Sequence, residues 1–344
     1  MKKLSAIALA ICLISGLCYV AFGNVGGGVA LPISAAVAAE TITVSPAFSD
    51  NMVLQRGKRV KIFGTGGAAG AEISVAFGGQ VKRGTVASSG WAVYLDAMAA
   101  NVSGDLSVTC GAQSFTYHDV IVGEVWLASG QSNMEVSVRH VKNKDATNEV
   151  TYAQFGNWNK IRGLYVPRCR AFTPQSGFAT PATWSRFTGL TSALDYSAYA
   201  MAFASNLQKM LGDGIVIGII QSAVSSSAIE EWLAEESFDR VNDHTDKIGG
   251  AVASGYYNGM IHNIVGYTIG GVIWYQGEAN VRQSVAADYL SQFGEYASSY
   301  RAFFEDENLP FIAQQLVRFA TSEDPELTWM TMRDVQWQTM LAYE

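Results

Sequence analysis

The chain has 344 residues, 49% of them hydrophobic and 15% charged, with 34 glycines against 7 prolines. That composition builds a core over one or two domains and excludes a disordered chain. A net charge of −7 excludes the basic surface that nucleic acid or an anionic membrane would need.

Lys2 and Lys3 precede the apolar run LSAIALAICLISGLCYVAFG, and a small-residue stretch ends in AAVAAE. The pattern predicts a signal peptide over residues 1–39, cleaved after Ala38 or Ala39, and export to the periplasm or cell exterior. The apolar run is almost long enough to span a bilayer, so an uncleaved N-terminal anchor stays open as the alternative. Leu17 precedes Cys18, where a lipoprotein signal wants a small residue, and this argues against lipidation. Losing residues 1–39 removes two lysines and no acid, which takes the net charge from −7 to −9.

Residues 40–120 read as a small all-β, sandwich-like domain. Short alternating runs (VKIFGTG, EISVAFGG, GTVASSG, WAVYLDAM, DLSVTCGAQSFTYHDV) recur every eight to twelve residues between Gly, Ser and Asn punctuation. Cys110 and Cys169 are the cysteines beyond the signal; after export they form one disulfide or remain two buried thiols. The Cys and His residues show no metal-ligand spacing, so neither a metal nor another cofactor is expected.

From residue 121 to 344 the rhythm changes. Apolar strands (EVWLASG, KIRGLYV, GIVIGIIQS, IGGVIWYQG, LPFIAQQL) alternate with helical segments (SAYAMAFASNLQKMLGDG, YYNGMIHNIVGYT, ADYLSQFGEYASSYRAFF). GIVIGII and GGVIWY are continuously apolar, as for strands covered on both faces. Alternation of this kind gives an α/β domain with a parallel sheet, whose ligands bind at the carboxyl ends of the strands. Three polar turns follow three such strands: SGQSNM, QSAVSSSAIEEW and QGEAN.

A serine at a strand-to-helix turn exposes its hydroxyl beside free helix N–H groups, the arrangement of a nucleophile next to an oxyanion site. Ser132 stands there. The Gly-x-Ser-x-Gly elbow of α/β-hydrolases is absent, because Met134 occupies the last glycine position. On placement alone, a helix cap is the favoured reading of Ser132.

FSDNMVLQRGKRVKIFGTG, HDVIVGEVWLASGQSNME and NGMIHNIVGYTIGGVIWYQGEAN, in this order, resemble the sialate O-acetylesterase family. Its members are SGNH-like carbohydrate esterases related to some acetylxylan esterases, and the resemblance runs from about Ala47 to the last residue. It implies a three-layer α/β/α SGNH-hydrolase-like domain behind the β domain. The implied reaction removes acetyl groups from a sugar through a serine acetyl-enzyme, with an acetylated carbohydrate as the partner. Ser132 is the implied nucleophile. The implied oxyanion hole uses the Ser132 N–H, the Ser226 N–H and the Gln276 side chain; Gln131, Asn133 and Glu278 are the implied substrate-binding residues. For Glu278 a purely structural hydrogen bond is the competing reading. Trp232, Trp274 and Tyr275 read as packing.

The sequence departs from the family pattern in two places. Ser225 and Ser226 replace glycines in AVSSSAIEEW; a backbone N–H survives that change, but a glycine-only backbone angle would not. The Asp-x-x-His that supplies the family's base is not found. His118, His140, His244 and His262 do not fit it, and His140, if helical with Ser132, lies ~12 Å along the axis. The resemblance implies that the final strand, the Asp and the His lie beyond Glu344, and that the chain as given is an inactive fragment. A non-catalytic carbohydrate-binding protein on the same scaffold is the alternative. A lipase-like esterase is a weaker one, since nothing suggests a lid or a long apolar groove.

Overall fold

The computed structural model describes residues 41–144, 157–212, 214–241, 252–281, 288–319 and 328–342. The predicted signal segment, most of the loop after His140, and His244 lie outside the described residues.

The β region begins with β1 (Ile42–Val44), β2 (Val53–Gln55), β3 (Val60–Gly66), β4 (Glu72–Phe77), β5 (Gln80–Thr85), β6 (Trp91–Leu95) and β7 (Ser103–Cys110). Its strands alternate, because one face of each meets the core and the other meets water. In β4 the buried residues are Ile73, Val75 and Phe77; in β6 they are Trp91, Val93 and Leu95. Strands β1, β3 and β6 form one antiparallel sheet, while β5, β4 and β7 continue into a larger one. GTVASSG, read as a strand, supplies only the end of β5 and the turn after it.

Strand β8 (Gln113–Gly130) joins the two regions. Its first half alternates and pairs antiparallel with β7; its second half is buried and pairs parallel with β11 and β12. The boundary expected between residues 120 and 121 therefore falls inside one continuous strand. The ladder with β7 shifts register opposite Asp119, which has φ +53°, but the strand itself runs on from half-buried to fully buried surroundings.

The α/β sheet adds β9 (Ile161–Tyr165), β10 (Ser185–Arg186), β11 (Ile217–Ala223), β12 (Gly271–Tyr275) and β13 (Phe311–Ala313). Their order is β10-β9-β11-β8-β12-β13, parallel apart from β10. The helices are α1 (Ser132–Glu135), α2 (Val138–Lys144), α3 (Ala198–Leu211), α4 (Glu235–Val241), α5 (Glu278–Val281), α6 (Tyr289–Phe303) and α7 (Thr328–Ala342). They cover both faces. Trp126 of β8 meets Phe203 of α3 with ring centres 5.0 Å apart. Gly271 is registered with Trp126, so Trp274, three residues on, faces the other way and meets Tyr296 of α6 at 4.4 Å. This is the expected α/β/α layering.

Two local expectations change. The helix read in YYNGMIHNIVGYT is a single π turn (Tyr257–Ile261) followed by a 3₁₀ turn (His262–Ile264). Cys110 and Cys169 are both free, so the disulfide reading gives way to two separate thiols.

Among the described residues no helix is long and apolar enough to cross a membrane. No cluster among them has the donors to hold a metal ion.

Candidate active site

Strand β8 delivers Ser132 to the carboxyl edge of the sheet through Gly130 and Gln131. Gly130 has φ +139°, and a Cβ there would lie 2.1 Å from the carbonyl oxygen of Tyr275, so only glycine lets the ends of β8 and β12 approach so closely. Gln131 caps α1, its carbonyl accepting from Met134 and Glu135 N–H at 2.9 and 2.8 Å. The helix stops after one turn, where the Val136 N–H donates to Ser132 O. Ser132 therefore occupies the first helical position, where the N–H has no intrahelical acceptor. Its Oγ has no hydrogen-bond partner among the described residues.

The turn after β11 lies next to it, since β11 pairs with β8 through Ala223 and Gly130. Glu135 fixes this turn. Its Oε2 accepts from Ser225 N–H at 2.6 Å and from Ser225 Oγ, while its Oε1 pairs with Arg168. The Ser226 N–H is left without a partner among the described residues. Ser226 has φ +62°, so the serine occupies the left-handed angle that glycine holds at no cost. Behind it, Ser227 donates to Val224 O at 2.8 Å and accepts the indole N–H of the buried Trp232 at 2.9 Å.

The third turn follows β12. Gln276 is fully buried, and its Nε2 lies within hydrogen-bond distance of Gln131 Oε1 (3.1 Å), Ser227 O (3.1 Å) and Asn280 Oδ1 (2.7 Å). An amide nitrogen carries two hydrogens, so these acceptors consume its donors inside the protein. Gln276 thus braces the turns from behind and offers no free N–H for an oxyanion. Gln131, expected to touch substrate, is also buried; its Oε1 accepts from the N–H groups of Gly277 (3.4 Å) and Ala279 (3.1 Å) at the start of α5.

Asn133 and Glu278 remain at the surface of the site. Asn133 Nδ2 donates to Glu278 Oε1 at 2.5 Å. The other carboxylate oxygen, Oε2, is buried without a partner. Burial raises the pKa of Glu278 above the usual carboxylate value, although its own backbone N–H and Asn133 oppose the shift.

Sequence reading missed Glu135 and Arg168, and also the Asn280–Glu230 pair beneath the site. Asn280 Nδ2 donates to Glu230 Oε2 at 2.9 Å, and Gln292 Nε2 donates to Glu230 Oε1 at 2.9 Å. The signal available for Glu135 was its place one turn after Ser132; nothing local marked Arg168.

Two of the described histidines are engaged elsewhere. His118, in the alternating half of β8, has Nδ1 3.0 Å from Asp105. His140 is exposed on α2, separated from α1 by the break at Val136 and Ser137. His262 Nδ1 lies 2.9 Å from Gln175 O. None of the three is hydrogen-bonded to Ser132.

Residues 122–342 match the family model described as carbohydrate esterase, sialic acid-specific acetylesterase. Human sialate O-acetylesterase is 30% identical over 254 residues, which are 68% of this chain and 48% of the human protein. The mouse protein of that name is 25% identical over 72% of this chain and 54% of its own length. The chain spans about half the length of these mammalian relatives. A solved structure of a carbohydrate acetylesterase from Xanthomonas citri superposes with a TM-score of 0.74 at 30% identity, covering 88% of this chain and 66% of that one.

Proposed function

The chain belongs to the sialic acid-specific acetylesterase family of carbohydrate esterases, and on that premise we propose that it removes acetyl groups from O-acetylated sugars through an acetyl-enzyme on Ser132. Ser132 Oγ attacks the acetyl carbonyl carbon, and the carbonyl π electrons move onto oxygen. The N–H groups of Ser132 and Ser226 donate to that oxyanion. Collapse expels the sugar alkoxide, which takes up the serine proton. Water then attacks the acetyl-enzyme, acetate leaves, and the Ser132 hydroxyl is restored.

One observation carries this reading: Ser132 begins a helix at the carboxyl end of a central parallel strand, and its Oγ and N–H, like the Ser226 N–H of the neighbouring turn, have no partner among the described residues. The supporting experiment measures acetate release from O-acetylated N-acetylneuraminate and from acetylated xylan. Release that disappears in Ser132→Ala supports the proposal; release that survives the substitution overturns it.

We further propose that the 344-residue chain turns over slowly by itself, since no described histidine is hydrogen-bonded to Ser132. Without imidazole a serine hydroxyl is a weak nucleophile near neutral pH. This same observation favours a second reading, a carbohydrate-binding protein on an esterase scaffold; sugar binding with no Ser132-dependent acetate release would establish it. Export with cleavage after Ala38 or Ala39 completes the proposal and is checked by sequencing the N-terminus of the secreted protein.

A further inference from the structure

Strand β9 is buried along its length until its last residue, Tyr165, which is 37% exposed. Tyr165 forms part of the wall of an open groove of ≈ 540 Å³, with Arg168, Thr180, Thr183, Ser185 and Tyr196 and small apolar residues between them. The groove starts two strands along the sheet from β8, or about 10 Å at the usual spacing. Arg168 ties it to the candidate site, because it pairs with Glu135 on the helix that Ser132 begins.

The Tyr165 ring is held in place. It meets Tyr196 edge to face, with ring centres 6.2 Å apart at 87°, and Tyr196 is itself buried and fixed by its hydroxyl on Gly163 O at 3.0 Å. An aromatic surface supported in this way loses little side-chain freedom when a ligand lies on it. The hydroxyls of Tyr165, Thr180 and Thr183 have no hydrogen-bond partner among the described residues. Arg168 is the one charged side chain among the described lining residues, and Glu135 balances it within their ion pair. A groove with an aromatic face, unpartnered hydroxyls and no net charge suits a neutral ligand with apolar C–H faces rimmed by hydroxyls.

We infer that the groove receives a neutral glycan chain, the sugar units joined to the acetylated one, with Tyr165 as the platform for a pyranose ring. Tyr165 and Ser132 lie farther apart than one such ring spans, so the ester and the stacked ring belong to different units. The preferred ligand is an oligosaccharide and not a free monosaccharide. The inference rests on the esterase reading for the position of the ester, but not for the binding.

The test is calorimetric titration of the full chain with xylose and xylotetraose, N-acetylglucosamine and chitotetraose, and the acidic chain tetragalacturonate. One neutral tetraose should bind at least about tenfold tighter than its own monosaccharide, the worth of one well-packed aromatic contact. Tyr165→Ala should erase that gain and leave the monosaccharide affinity as it was, whereas Tyr165→Phe should keep most of it. Tetraoses that bind no tighter than their monosaccharides, a gain that survives in Tyr165→Ala, tighter binding of tetragalacturonate than of both neutral chains, or no binding of any chain would overturn the inference. If Tyr165→Ala fails to fold, the tetraose and monosaccharide compared on the unsubstituted chain still decide it. Ser132-dependent acetate release without a gain from chain length defeats this inference alone; a gain from chain length without such release defeats the esterase reading alone.

Discussion

The Glu135 carboxylate holds Ser225 at two points, accepting its N–H at 2.6 Å and its hydroxyl through the same oxygen. One end of this contact belongs to the one-turn helix that starts at Ser132, and the other to the turn after β11. A helix that short has no stability of its own. The ion pair with Arg168 and the two bonds to Ser225 therefore hold the nucleophile and the Ser226 N–H in register.

Replacing Glu135 by Ala should cost roughly 2 kcal/mol, the scale of hydrogen bonds to a charged group. Glu135→Gln should cost less, since its amide oxygen still accepts from Ser225. Urea denaturation of the three proteins checks the ranking; an Ala variant as stable as the parent would show that the contact contributes nothing.

Ser226 is a serine at a left-handed angle, φ +62°. An L-residue there costs about 1–2 kcal/mol, and glycine gives some of this back as unfolded-state entropy. Ser226→Gly should thus stabilise the fold by up to about 1 kcal/mol. It should leave Ser132-dependent hydrolysis unchanged, because the backbone N–H remains. Ser226→Val should lower the melting temperature.

Glu278 has a raised pKa caused chiefly by burial. A carboxyl whose folded pKa lies above its unfolded value binds protons more tightly when folded, so its contribution to stability falls as pH rises through that window. Glu278→Gln keeps an acceptor for Asn133 and removes the buried charge. It should melt higher than the parent at neutral pH, with the gain shrinking as pH drops through the raised pKa and gone by the ordinary carboxylate value. A difference that does not vary with pH would refute the assignment.

Asn280 accepts from Gln276 at 2.7 Å and from Ile229 N–H at 3.1 Å, and it donates to Glu230 at 2.9 Å. Asn280→Ala strands a buried carboxylate oxygen, an amide and a backbone N–H, and should cost about 2–4 kcal/mol. Because Gln276 would then lose its anchor, hydrolysis should fall as well. Calorimetric melting and acetate release on one sample test the two effects together.

Much of this was legible in the sequence. Continuous apolar runs bounded by turn residues marked β11 and β12, and the alternation in EISVAF and WAVYL marked β4 and β6. The three polar turns were visible because each follows such a run. The boundary near residue 120 was misplaced because burial changes within β8 while the backbone continues. The roles of Gln131 and Gln276 were misread for a related reason. Residue type says that an amide can donate, but which acceptors surround it depends on Asn280 and Ser227, which the fold brings from other turns. Arg168 was invisible for the same cause: its partner Glu135 lies across two strands.

The account stands or falls on Ser132 as the nucleophile, and the most direct measurement is peptide mass spectrometry after prolonged incubation with 4-nitrophenyl acetate. The account predicts one acetyl group on the peptide containing Ser132, absent from Ser132→Ala and removed over time by hydrolysis. An unmodified Ser132 in a sample that nonetheless releases 4-nitrophenol at the same rate as Ser132→Ala would contradict it.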